Sequence, residues 1–83
     1  MVKEPLKDVI ADPDITKKVS AKILMLRLKH VYNTYEGFAS HIRMDSNSYY
    51  RAEHNQRRIK LEDLSVITRA HNMTLSEFFK DID

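Results

Sequence analysis

Ser46, Asn47, Ser48 and Arg51 lie close together in the chain and share one side of a helix predicted from about Ser46 to Glu53. Tyr49 and Ala52, three residues apart, mark the opposite, inward side. The outward set consists of short or planar hydrogen-bonding groups. An Asn amide makes a bidentate pair with adenine, an Arg guanidinium makes one with guanine, and a Ser hydroxyl donates or accepts. Short polar side chains at the helix start also allow close approach of the backbone to a partner. Little other chemistry competes. With no Cys in the chain there is no thiol nucleophile, disulfide or Cys-ligated zinc. His30, His41, His54 and His71 lack the short-range pairing of a metal site and are expected at the surface or half-buried. Glu62-Asp63 reads as first-turn charge favoured by the helix dipole, not as an acid/base pair. One Gly leaves little for a phosphate-cradling loop. No enzyme activity, metal or cofactor is expected.

The elements that must carry this set are all helical. From Thr16, a candidate N-cap, Val19, Ile23, Leu26 and His30 recur at helical spacing, with Leu24, Leu28 and Val31 widening the face. Thr34 caps a second helix whose inward residues are Phe38, Ala39 and Ile42. Arg43-Met44-Asp45 is a tight connection, and Asp45 or Ser46 caps the third helix. His54-Asn55-Gln56-Arg57-Arg58 is a polar break, where Asn tolerates the left-handed conformation that ends a helix. Leu61, Leu64, Ile67 with Val66, and Ala70 form a fourth amphipathic helix that stops at Asn72. Thr74 or Ser76 opens a short fifth helix with Leu75, Phe78 and Phe79. Met25, Met44 and Met73 sit at core spacing, Tyr49 is expected in the core, and Tyr50 along DNA or a partner.

Pro5 opens a short turn that Asp12-Pro13 ends, so residues 1–15 read as an N-terminal arm and residues 16–83 as one domain. Eighty-three residues leave no room for a second core. No apolar run approaches the roughly 20 residues that span a bilayer, and the charged N-terminus is no secretory signal, so the expected location is the cytoplasm. The net charge of +2 hides an uneven distribution. Residues 21–60 carry eight Lys/Arg against three Asp/Glu, whereas residues 61–83 carry two against five. A basic middle beside an acidic end suggests one face that attracts polyanions.

Two short helices joined by a few residues, the second starting with small polar groups, describe a helix-turn-helix. Residues from about Ser20 to Phe79 resemble the phage-repressor/Cro-like helix-turn-helix family, also called the xenobiotic-response-element family. Thr34-Tyr35-Glu36-Gly37-Phe38-Ala39 stands for its Ser-Gln-x-x-Leu-Ala element, Arg43-Met44-Asp45 for Gly-Val-Ser, and Glu53-His54-Asn55 for Glu-x-Gly. Leu61-Glu62-Asp63-Leu64 and Asn72-Met73-Thr74-Leu75 match the entries to the last two helices. Tyr35 replaces a Gln of the pattern, Arg43 and Asn55 replace two Gly, Ile59 replaces a Pro, and the first loop reads one residue longer.

The resemblance implies an all-α, compact five-helix bundle of the lambda-repressor-like DNA-binding type, with the arm in front. It implies base reading by Ser46, Asn47, Ser48 and Arg51. Contacts to the DNA backbone would come from Thr34, Tyr35, Arg43, Tyr50, His54, Arg57, Arg58 and Lys60. Glu53 and Arg27 would form an internal ion pair. The expected partners are double-stranded DNA and a second copy of the chain. Phe79, Ile82 and the apolar residues of the arm either pair across that dimer or cover the core of one subunit. The expected function is a sequence-specific transcriptional regulator. The alternatives are a DNA-binding antitoxin, which also has a protein partner, and a protein-interaction module on the same fold.

Overall fold

A computed structural model describes residues 13–30 and 34–82. Its described residues form five helices: α1 (Ile15–Lys29), α2 (Tyr35–His41), α3 (Ser46–Glu53), α4 (Leu61–Ala70) and α5 (Leu75–Phe79). This is the all-α bundle expected from the helical spacing. The proposed arm turn between Pro5 and Pro13, and the longer first loop around Val31-Tyr32-Asn33, lie outside the described residues.

Local chemistry explains where most helices start. Thr34 accepts from the Gly37 amide at 3.0 Å, and Asp45 accepts from the Ser48 amide at 2.9 Å, each satisfying a donor that the first turn leaves open. A Cβ on Gly37 would stand 3.0 Å from the Thr34 hydroxyl, a tight contact that would press on this cap. Thr74 and Glu77 form a reciprocal capping box, which settles the start of α5 on Thr74. The start of α1 differs from the expectation: its N-cap is Asp14, and Thr16 already lies inside the first turn.

Three helices end in the same way. Arg43, Asn55 and Asn72 have φ of 60°, 57° and 59°, the left-handed region. After α2, Met44 N–H donates to the Ala39 carbonyl at 2.8 Å and Arg43 N–H to Ser40 at 3.1 Å. After α4, Met73 N–H donates to Thr68 and Asn72 N–H to Arg69, both at 3.0 Å. After α3, Gln56 N–H donates to Arg51 at 2.8 Å. These bonds capture carbonyls that a helix end leaves open, and they require one left-handed residue. Asn accepts that conformation readily, whereas Arg43 holds it against the clash of its own Cβ.

One core joins all five helices. Val19, Ile23 and Leu26 of α1 meet Phe38 and Ala39 of α2, Tyr49 of α3, Leu64 and Ile67 of α4, and Phe78 and Ile82 at the C-terminal end. Ile42, Met44, Ala70, Met73 and Leu75 pack against it half-buried. Several residues expected on inward faces point elsewhere: Leu28, Met25, Leu61 and Val66 are exposed. The inward stripe of α1 is narrower than its apolar content, because 15 residues of helix meet partners on one side only. His71 departs in the other direction. It is buried, its ring stacked on Phe38 at 4.9 Å, because it continues the Leu64 and Ile67 stripe just past the end of α4. Lys22 fastens α1 to the end of α5, donating to the Phe78 carbonyl at 2.6 Å.

Candidate nucleic-acid interface

α2, the turn at Ile42–Asp45 and α3 make the helix-turn-helix, with α3 packed on both α1 and α2. The inward side of α3 is heavily constrained. Tyr49 and Ala52 are buried in the core, and Glu53 is buried with them. Arg27 of α1 meets the Glu53 carboxylate with two donors, Nε to Oε2 and Nη2 to Oε1, the latter at 3.1 Å. That fork geometry ties the last turn of α1 to the last turn of α3. The hydrogen bond to Glu53 raises the Arg27 pKa, against an opposing effect of burial. Burial, and next the Glu53 carboxylate, push the Tyr49 phenol well above its ordinary range, so the ring stays neutral.

The outward side is free of such duties. Asn47 and Arg51 are exposed, and their side chains make no hydrogen bond or ion pair among the described residues. Ser46 and Ser48 are half-buried, not fully outward as expected, because Ser48 lies one turn from buried Ala52 and Ser46 one turn from Tyr50. The base-reading candidates therefore split into an exposed pair and a pair at its edges.

The backbone-contact candidates form two groups around this face. Tyr35, Tyr50 and His54 make a run of rings where α2 begins beside α3. Tyr35 and Tyr50 stand 4.8 Å apart, and Tyr50 stacks on His54 at 4.0 Å. His54 Nδ1 also donates to the Tyr50 carbonyl at 2.8 Å, which fixes the ring. Sequence reasoning named these three residues separately but missed their contact; the i, i+4 spacing of Tyr50 and His54 was the available signal. Thr34 ends the same group, its hydroxyl engaged by the cap of α2.

Cations make the second group. Arg43 is exposed in the turn, Arg58 and Lys60 are exposed after α3, and Arg57 is half-buried. None of the four pairs with a carboxylate among the described residues. Such unpaired cations on both ends of one helix suit contact with phosphates. Among the described residues no three His, Asp or Glu side chains converge as metal ligands, and no helix is long and apolar enough to cross a membrane.

A control protein of a Mycoplasma species, C.MunI, is similar to this chain: 33% identical over 70 residues, covering 84% of this chain and 95% of that protein. No family model and no solved structure matches.

Proposed function

The chain belongs to the family of that control protein, within the broad phage-repressor/Cro-like helix-turn-helix regulators, and from this premise we propose that it is a sequence-specific DNA-binding transcriptional regulator. It acts as a homodimer on a pseudo-palindromic site. α3 enters the major groove with Asn47 and Arg51 toward base edges and Ser46 and Ser48 beside them. Arg43, Arg57, Arg58 and Lys60 supply the salt-dependent, sequence-blind share of affinity, and the Tyr35–Tyr50–His54 rings line the backbone on the α2 side.

The observation that carries this reading is the contrast across α3. An exposed Asn and Arg, whose side chains have no partner among the described residues, are mounted on a helix whose other side is locked into the core. Rigid mounting matters because base-edge hydrogen bonds tolerate little displacement. In a two-fold dimer the two α3 helices would address half-sites about 34–36 Å apart.

Selection from a random DNA pool at physiological salt, followed by footprinting, tests the proposal. The expected result is an enriched palindrome protected over two half-sites. A pool that returns no enriched sequence would overturn it.

A further inference from the structure

His54, the residue that caps the end of α3, continues the exposed stripe of that helix. Asn47, Arg51 and His54 follow one another at spacings of four and three, and all three are exposed. Seven residues separate Asn47 from His54, about 10 Å along the helix axis. With Asn47 at base edges inside the groove, the His54 ring stands at the level of the groove wall, where phosphates run.

The ring is already half committed. A carbonyl oxygen only accepts, so the 2.8 Å contact between Nδ1 and the Tyr50 carbonyl requires a proton on Nδ1. The same carbonyl accepts the His54 backbone N–H at 3.1 Å, which uses its second lone pair. Tyr50 stacks on the ring at 4.0 Å, with the two planes 21° apart, and so supports its orientation. Nε2 has no partner among the described residues.

These contacts dictate what Nε2 can do. In the neutral ring, with Nδ1 protonated, Nε2 carries a lone pair and only accepts. A phosphate oxygen also only accepts, so the two repel. In the imidazolium, Nε2 becomes a donor on a cation, and its hydrogen bond to a phosphate is charge-assisted. No neighbouring carboxylate takes that role first. Glu53 is buried and held by Arg27 of α1. On α2, Tyr35 meets Tyr50, and Glu36 acts on the Tyr35 phenol. Arg51 lies one turn back on α3, and Arg57 and Arg58 follow in the loop.

Resting on the reading of a DNA-binding regulator, we infer that His54 grips a phosphate only as the imidazolium. DNA binding then takes up a proton at each subunit, and affinity rises as pH falls from 8 to 6. His54 thereby makes the backbone share of affinity depend on pH as well as on salt, whereas the Arg contacts depend on salt alone.

Fluorescence titration of the selected duplex at fixed ionic strength, from pH 8 to pH 6, tests this, with circular dichroism reading the fold at each pH. The wild-type Kd should fall by at least about 5-fold per half-site. His54→Gln should remove that response, because an amide donates without titrating. His41→Gln, at the exposed end of α2, should retain it. Nitrogen-correlated NMR of the free protein should show the neutral His54 ring protonated at Nδ1. A neutral methylphosphonate in place of one flanking phosphate in each half-site should abolish the response. A wild-type response no larger than that of His54→Gln, a neutral ring protonated at Nε2, or a response that survives every phosphate replacement would overturn the inference. So would an affinity that falls on acidification through His54, which would place the Nε2 lone pair on a base amino group. In those cases the selected site still upholds the regulator reading. A pool that yields no enriched sequence overturns that reading, and this inference with it.

Discussion

Asn47 and Arg51 of α3 meet solvent, whereas Tyr49, Ala52 and Glu53, their neighbours in sequence, are buried. The inward side is expensive to alter. It holds two core rings in contact, Phe38 and Tyr49 at 5.2 Å, and a charge pair out of water. Among the described residues, the Asn47 and Arg51 side chains contribute no hydrogen bond or ion pair to the fold. One short helix thus separates stability from recognition by angle alone. Its sequence can change what it reads without changing how it is held.

Five predictions break or sharpen that contrast. The largest effect belongs inside. Glu53→Ala leaves the Arg27 guanidinium buried without its carboxylate and should cost about 3–5 kcal/mol in urea unfolding. The double variant Arg27→Met, Glu53→Leu should recover most of that loss, since an apolar pair removes both desolvation costs. A Glu53→Ala protein as stable as wild type would break the contrast from the inside.

Outside, Arg51→Ala should reduce discrimination between the selected site and random DNA by about 1–3 kcal/mol. Its unfolding free energy should move by no more than about 0.5 kcal/mol. Arg58→Ala should weaken binding equally on every sequence and lower the salt slope by about 1. Fluorescence titrations over a salt series separate the two. Identical losses for both variants on selected and random DNA would erase the division between base reading and backbone contact.

Arg43 belongs to both regions, as a strained turn residue and as a candidate phosphate contact. Arg43→Gly should stabilise the fold by about 1 kcal/mol, by removing the Cβ clash at φ 60°, while it lowers DNA affinity. A variant that loses stability instead would show that the Arg43 side chain holds the turn.

The smallest expected effect is the pH response of His71. Burial first, and the nearby His30 second, lower its pKa below the ordinary 6.5. The unfolded chain takes up a proton near 6.5 that the folded chain resists, so this contribution to stability is present above that pH and is lost as pH falls through it. His71→Leu should flatten the acid side of the stability profile measured by thermal melting between pH 7 and pH 5.

Sequence alone determined the local events. The caps at Thr34, Asp45 and Thr74, and the left-handed stops at Asn55 and Asn72, need only neighbours a few residues away, so their chemistry is written in short words. The inward Tyr49 and Ala52, and with them the outward Asn47 and Arg51, followed from helical period once α3 was bounded. Assembly decided the rest. Whether Leu28 and Leu61 face the core or solvent depends on how much of each helix a neighbour covers, which periodicity does not record. His71, expected by type at the surface or half-buried, is buried against Phe38 by packing. The ion pair of Arg27 with Glu53 spans 26 positions, and only the docking of α3 on α1 brings those charges together. Short-range hydrogen bonding is fixed by adjacency along the chain, while burial and distant pairing are set by the three-dimensional fit of whole helices.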